Sequence, residues 1–252
     1  MSGLMIASLG ALMIATSFLS GIFGMAGGLI LIGVLLAVMP LPSAMVLHAV
    51  TQMASNGWRA ILWRQHIRWR SVVVYATGCV IAVGLWSITR YVPGKAAALL
   101  LLGITPFLAR LVPKTLSPDP TNIRHGAFYG TVCMGLMLMT GVSGPLMDTF
   151  FLGGSYGRRE IIATKATCQV LSHSLKLLYF GGIIEQAATL DPLLAISAIL
   201  ASVMGTSLSR RLLESMSDKQ FRTWANRLIT IVASYYMLYA SWLLVGAPAL
   251  GR

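Results

Sequence analysis

The chain has 252 residues, of which 56 % are hydrophobic and only 10 % are charged. Because soluble domains carry about 25 % charged residues, this composition excludes an ordinary soluble domain and predicts a membrane protein with several spans. The net charge of +12 does not indicate nucleic-acid binding, since the cations stand in short loops between apolar runs. Three cysteines in apolar stretches predict neither a disulfide framework nor a metal cluster.

Eight apolar runs follow one another along the chain. Six have the length of one membrane span, namely 43–63, 71–89, 96–112, 160–181, 192–209 and 225–246. The other two, residues 4–39 and 126–156, are too long. A single helix over 4–39 would be about 54 Å long, against a hydrocarbon core of about 30 Å. Glycines interrupt both long runs, so we expect each to be a broken helix or a hairpin that turns inside the membrane.

The loop cations favour the hairpins. With two hairpins, only Arg90, Lys95 and Arg252 lie on one face, and thirteen cations share the other. With single crossings, the same sixteen cations divide nine to seven. The positive-inside rule therefore predicts hairpins, a cytoplasmic position for the larger group and both termini outside. The larger group is Arg64, Arg68, Arg70, Arg110, Lys114, Arg124, Arg158, Arg159, Arg210, Arg211, Lys219, Arg222 and Arg227.

The order of the runs predicts an inverted repeat. One hairpin and three spans make an odd number of crossings, so the two halves should face opposite ways, as in many transporters. We expect a first repeat over 1–112, a polar, proline-rich linker over 113–125 and a second, inverted repeat over 126–252. A shift of 117 residues superposes Gly24 on Gly141, Gly27 on Gly144, Gln52 on Gln169 and Ser55 on Ser172.

The span after each hairpin carries a polar stripe. The first stripe is His48, Gln52, Asn56 and Arg59, and the same shift gives Lys165, Gln169, His173 and Lys176. Residues 4, 8 and 11 positions apart lie about 40°, 80° and 20° apart around a helix, so each stripe occupies one face. The two glutamines are each about 14 Å deep, near the midplane. Either the stripes line a substrate site, with Ser55 and Ser172, or they bind neighbouring helices together.

The glycine-rich segments "SGIFGMAGGLILIG" and "TGVSGPL" place a turn within each long run. After each turn a helix would start inside the membrane, and the free N–H groups of a helix N-terminus attract anions. The segments therefore predict an anion site, and a small-residue packing motif is the alternative. The candidate residues of the site are Gly24, Gly27, Gly28, Gly141, Ser143 and Gly144.

Charged side chains complete the candidate site. We expect Arg59 and Lys176 either to attract the anion at the cytoplasmic and external mouths or to extend to the membrane interface. His48 and Lys165 are candidates for gating or charge attraction. Asp148 is an acidic residue deep in a membrane segment, and its expected role is an ion pair with Lys165 or a proton relay.

At these residues the chain resembles the TauE/SafE family of sulfite exporters. The segments "GIFGMAGGLILIGVLL" and "GVSGPL", the latter followed by "GRREIIATKATCQVLSHSLKLLYFG", are similar to the two signature regions of that family. The resemblance extends over essentially the whole chain and implies transport of sulfite, an organosulfonate or a related carboxylate. Pro145 replaces the glycine of the first half and suits the first turn of a helix.

These observations predict an all-α polytopic protein of the inner (plasma) membrane that exports a small sulfur-containing anion by alternating access. The expected partners are that anion and the lipid bilayer, whereas a coupling proton or cation and an oligomer stay open. No cofactor, metal or nucleic acid is expected. The alternatives are a channel-like anion conductor, an accessory membrane protein and a membrane-embedded enzyme. For the enzyme, the sequence offers no zinc-binding HExxH motif, carboxylate pair or Ser/His/Asp set.

Overall fold

The computed structural model of the protein describes residues 3–24, 26–111, 118–152, 156–184 and 189–245. Within these ranges all regular structure is helical, which confirms the predicted all-α fold. The α-helices are α1 (Gly3–Phe23), α2 (Ala26–Val38), α3 (Leu41–Leu62), α4 (Trp69–Thr89), α5 (Lys95–Leu111), α6 (Ile123–Thr140), α7 (Gly144–Leu152), α8 (Arg158–Leu178), α9 (Pro192–Ser215) and α10 (Asp218–Val245). A 3₁₀ turn (Arg64–His66) follows α3, and a π-helix (Tyr179–Ile183) continues α8.

Within the described residues, four stretches are long and apolar enough to cross a membrane, namely Gly3–Phe23, Trp69–Thr89, Pro192–Leu212 and Thr223–Val245. The helices α3 and α8 contain the two polar stripes, which lower their hydropathy. By contrast, α2 has 13 residues and α7 has 9, so they are only about 20 Å and about 14 Å long. These two short helices cannot cross the hydrocarbon core.

Both long apolar runs are broken at the predicted glycines. Gly24, after α1, has φ +79°, and Gly141, after α6, has φ +87°. This left-handed conformation is readily adopted by glycine and ends many helices. After the first break α2 folds back on α1. The two backbones approach closely, since a Cβ on Gly27 would lie 1.7 Å from the carbonyl oxygen of Thr16. After the second break α7 packs against α5, α6 and α8.

Two helix pairs run parallel at close range. In the pair of α1 and α9, Gly21 lies beside Ser209 and Gly205 lies beside Ile14. In the pair of α4 and α6, a Cβ on Gly78 would lie 2.0 Å from the carbonyl oxygen of Ala127. Such approach of one backbone to another is typical of membrane helices that pack through small residues.

Two further pairs run antiparallel and lie where the halves meet. Along α3 and α8, His48 contacts Lys176, whereas Gly57, later in α3, lies beside Val170, earlier in α8. The helices α5 and α10 also pack together. In this pair Gly103 lies beside Met237.

In the predicted repeat, helices α1 to α5 correspond in order to helices α6 to α10. The α1–α9 pair then corresponds to the α4–α6 pair, whereas the α3–α8 and α5–α10 pairs each consist of two corresponding helices. An inverted repeat requires the self-matched pairs to be antiparallel, as they are here. The inverted repeat, with its boundaries 1–112 and 126–252, stays a prediction. Part of the predicted linker, residues 113–117, lies outside the described residues.

The last two helices are longer than the spans predicted for them. The sequence predicts spans over 192–209 and 225–246, but α9 continues to Ser215 and α10 begins at Asp218. Arginine, leucine and glutamate in the segment "RRLLES" favour helix, so the helix does not end where the apolar run ends. Only Met216 and Ser217 separate α9 from α10.

Candidate functional site

The side chain of Gln52 lies beside the first turn of α2. A Cβ on Gly28 would be 3.1 Å from Gln52 Oε1, so the amide of the glutamine fills the space left by the missing side chain. Gln52 is 4 % exposed, and its buried Nε2 has no hydrogen-bond partner within the described ranges. A buried donor without an acceptor is costly, which makes this atom a marker for a missing partner such as a bound ligand.

Further unpartnered polar atoms lie on α8 and at the broken helices. On α8 they are Gln169 Oε1 and His173 Nδ1, and both residues are buried. Ser143 Oγ, just before α7, and Ser20 Oγ, near the end of α1, also lack partners among the described residues. The remaining buried atoms of this kind are Ser17 Oγ, Trp58 Nε1 and Trp86 Nε1. Polar groups without partners are therefore concentrated along the two stripes and beside the two turns.

A cation lies at the C-terminal end of each broken helix. Arg59 Nη2 donates to the carbonyl oxygen of Ser20 at 2.8 Å, and Lys176 Nζ donates to that of Gly141 at 3.0 Å. The C-terminal end of a helix carries partial negative charge, and its last carbonyl groups can accept bonds from side chains. The carbonyl oxygen of Ser20 also accepts from the backbone N–H of Gly24 at 2.8 Å. Each side chain thus stabilises a helix end inside the membrane region.

The structure gives Arg59 and Lys176 partners within the protein. Arg59 is 9 % exposed and Lys176 is fully buried. The breaks in the long runs supply the carbonyl acceptors, and a helical wheel of α3 or α8 does not show these acceptors. The positions of both cations at the mouths or at the membrane interface stay predictions.

His48 connects the two halves. Its Nδ1 accepts a hydrogen bond from Lys176 Nζ at 2.7 Å, and its Nε2 donates to the carbonyl oxygen of Gly28 at 2.9 Å. The ring of His173 lies 5.4 Å from that of His48, centroid to centroid. A continuous string of hydrogen bonds therefore runs from the Gly141 turn through Lys176 and His48 to α2.

Asp148 on α7 forms an ion pair with Lys165 on α8, as one of the two sequence interpretations expects. Lys165 Nζ would lie 3.8 Å from a Cβ on Gly24, so this cation stands beside the first turn. Lys165 and Lys176 thus place one cation of α8 near each of the two turns.

A family model described as sulfite exporter TauE/SafE matches residues 9–236, from α1 to α10. The chain belongs to the TauE/SafE family. This membership confirms the resemblance seen in the two signature regions, and it makes the protein a multi-pass membrane transporter of the sulfite exporter type. No curated protein and no solved structure matched the chain.

In this TauE/SafE protein, several predicted site residues already have protein partners. Ser55 Oγ shares a hydrogen bond with Thr206 on α9 at 2.8 Å, and Ser172 Oγ shares one with Tyr75 on α4 at 3.1 Å. Asn56 Nδ2 donates to the carbonyl oxygen of Gln52 at 2.9 Å. These contacts connect helices or turns of the TauE/SafE fold, so we leave the three side chains outside the site proposed below.

The predicted glycines have different positions in the fold. Gly28 borders Gln52, and Gly24 and Gly141 form the turns. Gly27 packs against α1, and Gly144 begins α7. Tyr75 was missed by sequence reasoning because it lies in an apolar span without any polar pattern around it. Among the described residues no group of histidine, cysteine or carboxylate side chains could hold a metal ion.

Proposed function

We propose that this TauE/SafE protein transports sulfite, or a short organosulfonate or related carboxylate, and binds it between the two turns beside Gln52 and Gln169. The observation that carries the proposal is Gln52 Nε2, a buried donor next to the first turn of α2 that has no acceptor in the part of the chain that the structure describes. An oxyanion offers only acceptor oxygens, and hydrogen bonds from a donor to a charged acceptor are strong.

The charges around this position also favour an anion. Lys165 stands beside the Gly24 turn, and Lys176 donates to the carbonyl oxygen of the Gly141 turn. Asp148 is the carboxylate near them, and it already forms an ion pair with Lys165. In a region of low dielectric constant, such an excess of positive charge attracts an anion strongly.

Gln169 can serve as the second donor if its amide group rotates. Its Oε1 is the buried atom without a partner, and a half-turn about the terminal bond would exchange this oxygen for the NH₂ group. The two glutamines would then donate to one anion from α3 and α8, the antiparallel pair where the halves meet.

Alternating access would follow from movement of one half against the other around this pair, as in transporters built from inverted repeats. We further propose export as the direction, the inner membrane as the location and an external position for both termini.

The test is the affinity of purified protein for radiolabelled sulfite and for a labelled organosulfonate. Gln52→Leu and Gln169→Leu should each weaken binding about tenfold to a hundredfold, because a hydrogen bond to a charged group contributes about 1.5–3 kcal/mol. The Gln52→Glu variant should bind the anion more weakly still, since it adds a negative charge beside the anion.

The matched control is Gln65→Leu in the exposed 3₁₀ turn, which should bind normally. Unchanged affinity of both variants at Gln52 and Gln169, with reduced thermal stability, would mean that the glutamines only connect helices. Saturable flux in proteoliposomes supports a transporter, whereas flux that does not saturate indicates a channel-like conductor.

A further inference from the structure

The hydrogen bond between His48 and Lys176 links α2 of the first hairpin to the turn at Gly141. His48 belongs to α3, Lys176 to α8, and the groups at the two ends of the string are the carbonyl oxygens of Gly28 and Gly141. Both side chains are fully buried. Breaking the central bond would remove the hydrogen-bonded link between α2 and the turn between α6 and α7, and would leave the apolar contact of Ile32 in α2 with Gly141.

With Lys176 charged, the partners of His48 require its ring to be neutral in this conformation. A carbonyl oxygen only accepts hydrogen bonds, so Nε2 must carry the hydrogen that is donated to Gly28. An ammonium group only donates, so Nδ1 must be the free acceptor of the bond from Lys176. The string is therefore complete when the imidazole is neutral and the lysine is charged.

A second positive charge cannot be accommodated in this string. A protonated imidazole donates from both ring nitrogens, so Nδ1 and Nζ would become two donors 2.7 Å apart, with like charges and no acceptor between them. The bond between the halves would then be replaced by repulsion, while Nε2 could still donate to Gly28.

The titratable groups that face His48 come from α8. They are Lys176 and His173. The ring of His173 packs against the ring of His48, and its Nδ1 has no partner among the described residues. Neither α1 nor α2 has a titratable side chain in its described residues, and residues 192–209 of α9 and 141–143 of the turn have none. The Tyr179 hydroxyl of the π-helix donates to the carbonyl oxygen of Tyr91.

The other charges around α3 already have partners elsewhere. Arg59, further along α3, bonds to Ser20, and Asp148 pairs with Lys165 near the opposite turn. No carboxylate forms an ion pair with His48 or Lys176 among the described residues. A proton added at this position therefore meets positive charge and has no negative group to compensate it.

We propose that His48 is a proton-binding switch that, when neutral, fixes α2 to the Gly141 turn and, when protonated, releases them and opens the anion site on that side. The inference rests on the proposed function, because it concerns access to that same site. The ligand of the switch is a proton.

The first test measures opening without any anion. A cysteine replacing the half-buried Val142 in the turn is labelled with a methanethiosulfonate reagent in membranes at about pH 5 and about pH 8, between which histidine changes charge. The three native cysteines are buried, so unmodified protein gives the background. The same cysteine in a His48→Gln background corrects for the pH dependence of the reagent, since glutamine keeps a donor and an acceptor but does not titrate.

Relative to the His48→Gln background, labelling of the V142C protein at the lower pH should rise roughly tenfold, as expected when a minor open state becomes a major one. His66→Gln, in the 3₁₀ turn, is the control for loss of a histidine and should keep the full response. If the ratio of V142C labelling at the two pH values were the same with His48 and with glutamine at this position, the switch would be refuted.

The second test measures exchange of a labelled organosulfonate, which stays ionised over this pH range. Exchange by the wild type should be faster at the lower pH, whereas His48→Gln should be slow at both pH values and His48→Leu fast at both. Exchange without any dependence on His48 would refute the switch and leave the proposed function intact. Labelling that depends on His48, without exchange of any anion, would retain the switch and refute the proposed function.

Discussion

At the scale of single residues, the polar side chains of α3 and α8 divide into three groups. The first group holds helices together, as Ser55 and Ser172 do. The second neutralises the ends of broken helices, as Arg59 and Lys176 do. The third is represented by Gln52, whose Nε2 has no hydrogen-bond partner among the residues that the structure describes. A polar residue in a membrane segment is therefore a candidate for ligand binding only after its protein contacts have been accounted for.

The ion pair between Asp148 and Lys165 gives a prediction about stability. The side chain of Lys165 is 11 % exposed and that of Asp148 is 29 % exposed, so the pair is only partly screened by solvent. Asp148→Asn should cost about 1–2 kcal/mol, between the values for surface and buried pairs, because it leaves the ammonium group without its counter-charge. Thermal unfolding in detergent should show a lower midpoint for this variant.

The double variant Asp148→Asn with Lys165→Gln should recover part of this loss, since it removes both charges. Asp119→Asn, at an exposed position, is the matched control and should unfold at the wild-type temperature. With Lys165→Gln measured as the second single variant, the coupling energy is the loss of the double variant minus the losses of the two single variants, and a value of zero would contradict the prediction.

At the scale of elements, close helix contacts depend on particular glycines. In α4, a Cβ on Gly78 would lie 2.0 Å from the carbonyl oxygen of Ala127 and 2.5 Å from the nitrogen of Thr131, both backbone atoms of α6. In the same helix, a Cβ on Gly84 would have no atom within 4 Å. The helix α4 therefore contains one glycine required for packing and one that is not.

Gly78→Ala should destabilise the protein by about 1–3 kcal/mol, because α4 and α6 must move apart to admit the methyl group. Gly84→Ala has the same chemistry without the clash and should be neutral or stabilising by up to about 1 kcal/mol, since alanine favours helix. Fluorescence-detected gel filtration after heating would compare the two variants. Equal loss in both would contradict the close α4–α6 contact.

The breaks and the stripes could be predicted from the sequence, whereas the contacts between distant segments could not. The run 4–39 is too long for one span, so a break among its glycines follows from membrane thickness, and the structure places this break at Gly24. The bond from Arg59 to the carbonyl oxygen of Ser20 depends on how α1 lies against α3, which no local pattern encodes. The same holds for Lys176 and His48, which are 128 residues apart.

At the scale of the whole molecule, the orientation of the two halves in the membrane stays a prediction from the loop cations. The cations predict two hairpins that return to the external side, and the antiparallel pairs α3–α8 and α5–α10 agree with two halves of opposite orientation. The orientation of the whole molecule can be tested separately from transport.

A cysteine at Ser2 should react with a membrane-impermeant reagent added outside the cell, and a cysteine at Gln65 should react only after the cytoplasmic side is opened. The expectation follows from the thirteen loop cations on the face that includes Arg64 and Arg68. The buried native cysteines supply the background. Reaction at Ser2 from the cytoplasmic side alone would contradict the hairpin topology.

The continuous helices α9 and α10 also have a practical consequence for imaging. With 24 and 28 residues they are about 36 Å and about 42 Å long, so both extend past a hydrocarbon core of about 30 Å. The apolar stretch of α9 ends at Leu212 and that of α10 begins at Thr223, which leaves helical residues on both sides of Met216 and Ser217 beyond the span. A rigid helical bundle inserted at this turn would inherit the direction of both helices, and electron cryomicroscopy could use it as a fiducial for a membrane protein with little mass outside the bilayer.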